Sequence, residues 1–124
     1  MSKMDALRIP DYLAHMLEAI ARISHYTEDI AEYQFLTNSL VQDAVIRNIE
    51  ILGEAARNMT RYHSDFVAIH ASIPWNDIYL MRNQISHGYF TVDLAIIWNT
   101  IQKDLPWLEQ QIQAIHHQLL VNKP

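Results

Sequence analysis

Apolar residues recur along this chain at intervals of three and four and almost nowhere at two, so the pattern predicts helices from end to end. In the first helix, opened near Pro10 in a turn where a missing N–H costs nothing, Leu13, Met16, Leu17, Ile20 and Ile23 form the buried stripe, which runs out near Tyr26. Thr27-Glu28-Asp29-Ile30 reads as a cap followed by first-turn acids, predicting a short helix over 28 to 34. A long second helix is predicted from 38 or 39 to 58 or 59, capped by Thr37 or Asn38, with Val41, Val45, Leu52, Ala55 and Met59 at near-heptad spacing. Residues 60 to 73 read as a connection holding a short helix, with Ser64 as its cap ahead of Asp65, Phe66, Val67 and Ile69. The third long helix starts at Pro74, passes through Trp75, Ile78, Met81 and Ile85, and stops at His87, where Gly88 supplies a left-handed exit. The last helix, capped by Thr91 or Asp93, carries a stripe from Leu94 through Ile97, Trp98, Ile101, Leu105, Leu108, Ile112 and Ile115 to Leu119, and Pro106 is expected to kink it.

Four principal helices joined by short connections, each with one apolar stripe, specify an all-α fold: an antiparallel four-helix-type bundle with a short extra helix. Two interior positions stand out. Asn48 falls within the apolar seam of the second long helix, and a buried amide needs hydrogen-bond partners, so it either fixes the packing register or meets a functional group. Gly53, mid-helix at a cost of about 1 kcal/mol relative to Ala, is expected to let another helix come close. With no repeat, low-complexity segment or linker, 124 residues suit one domain, expected over 1–124 with frayed ends at 1–8 and 121–124.

Composition then removes whole classes of chemistry. There is no cysteine, hence no disulfide, thiolate metal site or Cys nucleophile, which fits a reducing compartment. The start lacks a basic stretch leading into a long apolar run, and no later segment approaches about 18 uninterrupted apolar residues, so a cytoplasmic protein with no membrane partner is expected. Two glycines cannot build a phosphate-binding loop or a dinucleotide fingerprint. A formal charge of −5 argues against coating nucleic acid nonspecifically, so any RNA contact must be local.

The stretch Arg82-Asn83-Gln84-Ile85-Ser86-His87-Gly88-Tyr89 is a polar island in this apolar background. It supplies a permanent cation, an imidazole and a phenol, the groups needed to handle a phosphodiester. Arg presents a planar fork matching phosphate oxygens. The ordinary pKa of imidazole, about 6.5, suits acid or base work. Asn83 can orient a substrate or a partner side chain, and Tyr89 can donate to a phosphate or accept a covalent modification. A plainer reading stands beside this one: Arg and His near a helix C-terminus favour the negative end of its dipole, and an aromatic at a helix junction packs. If 82 to 87 are all helical, five steps of about 100° carry His87 roughly 140° round the axis from Arg82, so one regular helix cannot aim both at one phosphate. Either the last turn loosens before Gly88, or two subunits share the site across a symmetric interface. The second has a chemical advantage. Attack of a ribose 2′-hydroxyl on its neighbouring phosphate needs a base, an acid and a cation, and a two-fold dimer offers two histidines where one chain offers one. Metal hydrolysis would draw on His15, His25, His63, His70, His87, His116 and His117, but no pair shows the i, i+4 spacing with a Glu that a helical zinc site uses.

Arg82 to His87, extended through Gly88 to Tyr89, resembles the Arg-x4-His-x-Tyr signature of HEPN domains in their HepT-like branch. The second-helix stretch from Gln42 to Ala55, Ile73-Pro74-Trp75, and Val92-Asp93-Leu94-Ala95-Ile96-Ile97-Trp98 are also similar to that branch, and together the likeness spans roughly residues 8 to 112. The resemblance implies a HEPN fold, a homodimer whose paired motifs line a cleft, and a metal-independent endoribonuclease without a cofactor that is the toxin of a prokaryotic type VII-like toxin-antitoxin pair. It implies a partner as well, a minimal nucleotidyltransferase antitoxin that binds the toxin and transfers AMP to the motif tyrosine. Carried onto this sequence, Arg82 and His87 are catalytic, Asn83 supports them, and Tyr89 accepts AMP; Glu54 and Asn48 are candidate partners of Arg82. The alternative is a non-catalytic helical module that docks a nucleotidyltransferase or binds a nucleotide, which the acidic charge and lack of an evident basic patch favour.

Overall fold

The computed structural model describes residues 7–87 and 93–122, with 82–87 by backbone alone. Every regular element among them is helical: α1 (Ile9–Thr27), α2 (Glu32–Leu36), α3 (Ser39–Tyr62), α4 (Ser64–Ile69), α5 (Trp75–His87), α6 (Leu94–Asn99) and α7 (Leu105–Val121), with a π-helical turn, Thr100–Asp104, joining the last two. The arrangement is the all-α antiparallel bundle that the pattern predicts. α3 is its central member, packed along α1 and α5, while α7 lies against α1. Leu13, Met16, Ile23, Ile49, Leu52, Met59 and Ile112, drawn from the predicted stripes and their neighbours, are fully enclosed between them.

Caps fix where the long helices start. The Asn38 side-chain oxygen accepts from the Val41 N–H at 3.2 Å, and that of Asp93 accepts from Ala95 and Ile96 at 3.0 and 3.2 Å. Thr91 and the Gly88 exit lie outside the described residues. The segment after α1 departs from expectation. Thr27 does not cap a helix over 28 to 34; it closes α1, buried, with its hydroxyl donating to the Ile23 carbonyl at 2.8 Å. α2 begins only at Glu32, where the Gln34 side-chain oxygen accepts from the Ala31 N–H at 2.7 Å, and Phe35 pins it to α6 with its ring centroid 5.5 Å from that of Trp98. Ser64 is the first residue of α4 and not its cap.

Pro106 does more than kink the last helix. It has no N–H to offer the Gln102 carbonyl and its ring crowds that group, and the wider π turn over Thr100–Asp104 takes up the mismatch before α7 resumes with Pro106 in its opening turn. At the start of the chain, His63 Nε2–H donates to the Leu7 carbonyl at 2.8 Å, and Leu7 N–H donates to the Tyr12 hydroxyl at 3.0 Å. The ends expected to fray, 1–8 and 121–124, lie mostly outside the described residues; of them, Leu7 is held by this clasp and α7 reaches Val121. Trp75 Nε1–H donates to the His70 carbonyl at 3.1 Å and locks the α4–α5 corner. The start of α1, the end of α3, the start of α5 and the end of α7 thus share one end of the bundle. α2 and the first turn of α3 lie at the other, and α5, 13 residues long against the 24 of α3, stops partway toward it.

Candidate active site

On α5, Trp75 and Ile78 are buried and define its inward face, whereas Leu80 is exposed. Arg82 stands seven residues after Trp75 and four after Ile78, spacings that return to the inward face; His87 stands seven after Leu80 and falls on the outward one. The backbone stays α-helical through His87. The last turn therefore does not loosen ahead of Gly88, and the two positions remain about 140° apart around the axis. Asn83, four residues after Tyr79, falls on the flank between them. Tyr89 lies outside the described residues.

The pairing of α5 with α3 fixes what each motif position faces. The Arg57 guanidinium sits over the Tyr79 ring, 5.4 Å from its centroid. In an antiparallel pair, stepping three residues back from Arg57 and three forward from Tyr79 brings Glu54 level with Arg82, and one more step brings Gly53 level with Asn83. Gly53 is buried, so its missing side chain lets the two backbones approach where the motif begins. Glu54 is half-buried and lines a groove of about 340 Å³ between α1 and α3, together with Tyr12, His15, Arg47, Glu50 and Asn58.

Asn48 is placed differently. It stands nine residues before Arg57, roughly half a turn round α3, and so lies on the side away from the Arg57–Tyr79 contact. Its Nδ2 donates to the Ala44 carbonyl at 2.9 Å, while its Oδ1 is buried with no hydrogen-bond partner among the described residues. In this register Glu54 is level with the Arg82 position, and Asn48 lies on the side of α3 away from the Arg57–Tyr79 contact. Sequence reasoning passed over Arg57, whose contact sets this register; the available signal was the recurrence of charges every three or four residues along the outer face of α3.

The remaining histidines serve structure or stand apart. His63 clasps Leu7, the His70 ring lies 4.4 Å from that of Phe66, and His25 pairs with Glu28 at 3.6 Å. Among the described residues no three His, Asp or Glu side chains form a group able to hold a metal ion, and no helix is long and apolar enough to cross a membrane.

Residues 16–115 match the family model described as Ribonuclease HepT-like. Among curated proteins, the chain is 42% identical over 112 residues to the "Gamma-glutamylcyclotransferase and putative RNase" of Methanocaldococcus jannaschii, covering 90% of this chain and 49% of that protein. It is 38% identical over 105 residues to the "Probable ribonuclease HepT" of Thermococcus cleftensis, covering 85% of this chain and 93% of the relative. A "Putative RNase" of Caldanaerobacter subterraneus is 35% identical over 104 residues, covering 84% of this chain and 90% of the relative. The chain thus spans about half the length of the first of these and nearly all of the other two. No solved structure gives a significant match.

Proposed function

The chain belongs to the ribonuclease HepT-like family, with its all-α HEPN fold, and on that premise we propose that it is a metal-independent endoribonuclease, the toxin of a prokaryotic toxin-antitoxin pair. One HEPN domain over residues 1–124 works as a homodimer, and Arg82 and His87 of both copies line one cleft. The imidazole of one copy takes the proton of a ribose 2′-hydroxyl as its oxygen attacks the adjacent phosphorus. The imidazole of the other gives a proton to the departing 5′-oxygen, leaving a cyclic phosphate and a free hydroxyl. The guanidiniums hold the non-bridging oxygens as charge builds on them, and Asn83 orients these groups. The observation that supports a shared site is the regular helix through His87: Arg82 on the inward face and His87 on the outward one cannot meet on one phosphate within a single chain.

Purified protein free of any partner is expected to cleave RNA with a chelator present, and Arg82→Ala or His87→Ala to abolish cleavage. Mixing wild-type chains with His87→Ala chains separates a shared site from an independent one. If both imidazoles are needed, activity falls as the square of the wild-type fraction; a linear fall would assign a complete site to each chain. A protein silent toward RNA that still binds its nucleotidyltransferase tightly would identify the non-catalytic docking module instead.

Neutralisation follows from the same motif. A minimal nucleotidyltransferase antitoxin transfers AMP from ATP to the Tyr89 hydroxyl, which loses its proton as pyrophosphate leaves, placing a phosphodiester of its own beside the cleft, where it competes for the cations meant for RNA. Coexpression is expected to add AMP mass to the peptide carrying Tyr89 and to leave Tyr89→Phe unmodified; an adduct on another residue would overturn the assignment.

A further inference from the structure

Where the chain enters the bundle, the start of α1, the short α4 and the last turns of α7 leave a groove of about 570 Å³ between them, a size typical of small-molecule sites. Its floor is apolar, formed by Ile9, Pro10, Phe66, Ile115 and Leu119. Arg8, His63, His70, Gln118 and Asn122 supply its polar lining. Among the described residues no carboxylate lines it, on a chain with 14 acids against 9 Lys and Arg. None of these residues belongs to the motif carried by α5.

The groups on the rim are available to a ligand. The Arg8 side chain makes no capping bond to α1 and no ion pair among the described residues. His63 uses Nε2 on the Leu7 carbonyl, and its Nδ1 has no hydrogen-bond partner among those residues. The His70 and Phe66 rings, 4.4 Å apart, form one wall. Gln118 and Asn122, four residues apart at the end of α7, present carboxamides from the other. A fatty chain would use the floor and leave the amides idle, and inorganic phosphate would use the rim and leave the floor wet. A flat, ring-bearing anion uses both.

We propose that this groove binds a single nucleoside monophosphate. The phosphate meets the Arg8 guanidinium, whose planar fork matches phosphate oxygens. The base lies against Phe66 and His70, as bases do on aromatic side chains, and its edge faces the carboxamides of Gln118 and Asn122, a group that pairs well with adenine. A lining free of carboxylates admits an anion that the rest of an acidic surface repels. Asp11 and Asp65, each next in sequence to a residue of the groove, are exposed, and their charges oppose the further phosphates of a strand. The groove therefore takes one nucleotide and not a run of RNA. One wall carries its own reporter: Trp75 Nε1–H donates to the His70 carbonyl, so a base settling on the His70 ring shifts the indole resonance.

Titration of the isotope-labelled full chain with AMP, followed by NMR, tests the site. Saturable shifts are expected at the Trp75 indole N–H and at the backbone amides of Phe66, His70 and Leu119. Arg8→Ala and Phe66→Leu are each expected to weaken AMP about tenfold, and adenosine and inorganic phosphate, each carrying half of the ligand, to bind more weakly than AMP. Arg8 is exposed and its side chain caps nothing, so its variant keeps the fold; a spectrum unchanged away from the groove checks this for both variants. Adenosine or phosphate binding as tightly as AMP, shifts confined to the last turn of α5, or no response, as when the residues ahead of Leu7 fill the groove, would each overturn the site. Tighter binding by an uncleavable 2′-O-methyl RNA that Arg8→Ala abolishes would make the groove part of an RNA track and overturn the single nucleotide. RNA cleavage by Arg8→Ala is expected to match wild type. Cleavage without AMP binding removes this site alone, and AMP binding here without cleavage removes the nuclease alone.

Discussion

At the scale of single residues, Asn48 poses the sharpest question of stability. Its amide is bonded within α3, and its oxygen is enclosed without a donor among the described residues. An unsatisfied buried acceptor costs about 1–3 kcal/mol. Asn48→Leu, close in volume and free of polar atoms, is therefore expected to raise the melting temperature by several degrees and leave RNA cleavage unchanged, since the residue faces away from α5; lost cleavage with raised stability would instead give the amide a functional role. Replacing Arg82 with Lys retains the charge but loses the planar fork, so cleavage is expected to fall on the order of 10²-fold with the dimer intact. Asn48 was legible in the sequence as a polar intruder in an apolar seam. Which way it turned was not, because that depends on the neighbour chosen by each side of α3.

At the scale of elements, the long helices were legible because several signals agreed: Pro10, Asn38, Pro74 and Asp93 mark the starts, and stripes at three and four fill the interiors. The stretch between α1 and α3 was not. Thr27 followed by acids looks the same in sequence whether the hydroxyl caps forward or bonds back to Ile23, and only the packed structure decides. α2 is too short to persist by local propensity and depends on Phe35, fully enclosed against Trp98. Phe35→Ala is accordingly expected to cost about 3–5 kcal/mol, read from chemical denaturation. Pro106 announced a break in the last helix. That the break takes the form of a π turn followed from how α6 must meet α2 while α7 follows α1, a long-range condition no local window contains.

At the scale of the whole molecule, the net charge of −5 sets a limit on how RNA is held. If two Arg82 side chains supply the main phosphate contacts, the logarithm of RNA affinity should fall with the logarithm of salt at a slope of roughly −1.4, measured with the protein concentrated enough to remain paired. A much steeper slope would mean a basic surface beyond the motif. Arg82, Asn83, His87 and Tyr89 were all legible as a chemical cluster. The separation of Arg82 and His87 around the helix was legible too, from helical geometry. The register bringing Glu54 level with Arg82 was hidden, since it follows from Arg57 seated on Tyr79, residues with no mark of partnership in the sequence. The Leu7 clasp has a practical sequel. Because His63 and Tyr12 hold Leu7 at the end of the bundle where α5 starts, a fluorophore, bead tether or fused domain attached ahead of Leu7 is set a full helix length from the His87 turn of its own chain, and the same holds for one attached behind α7.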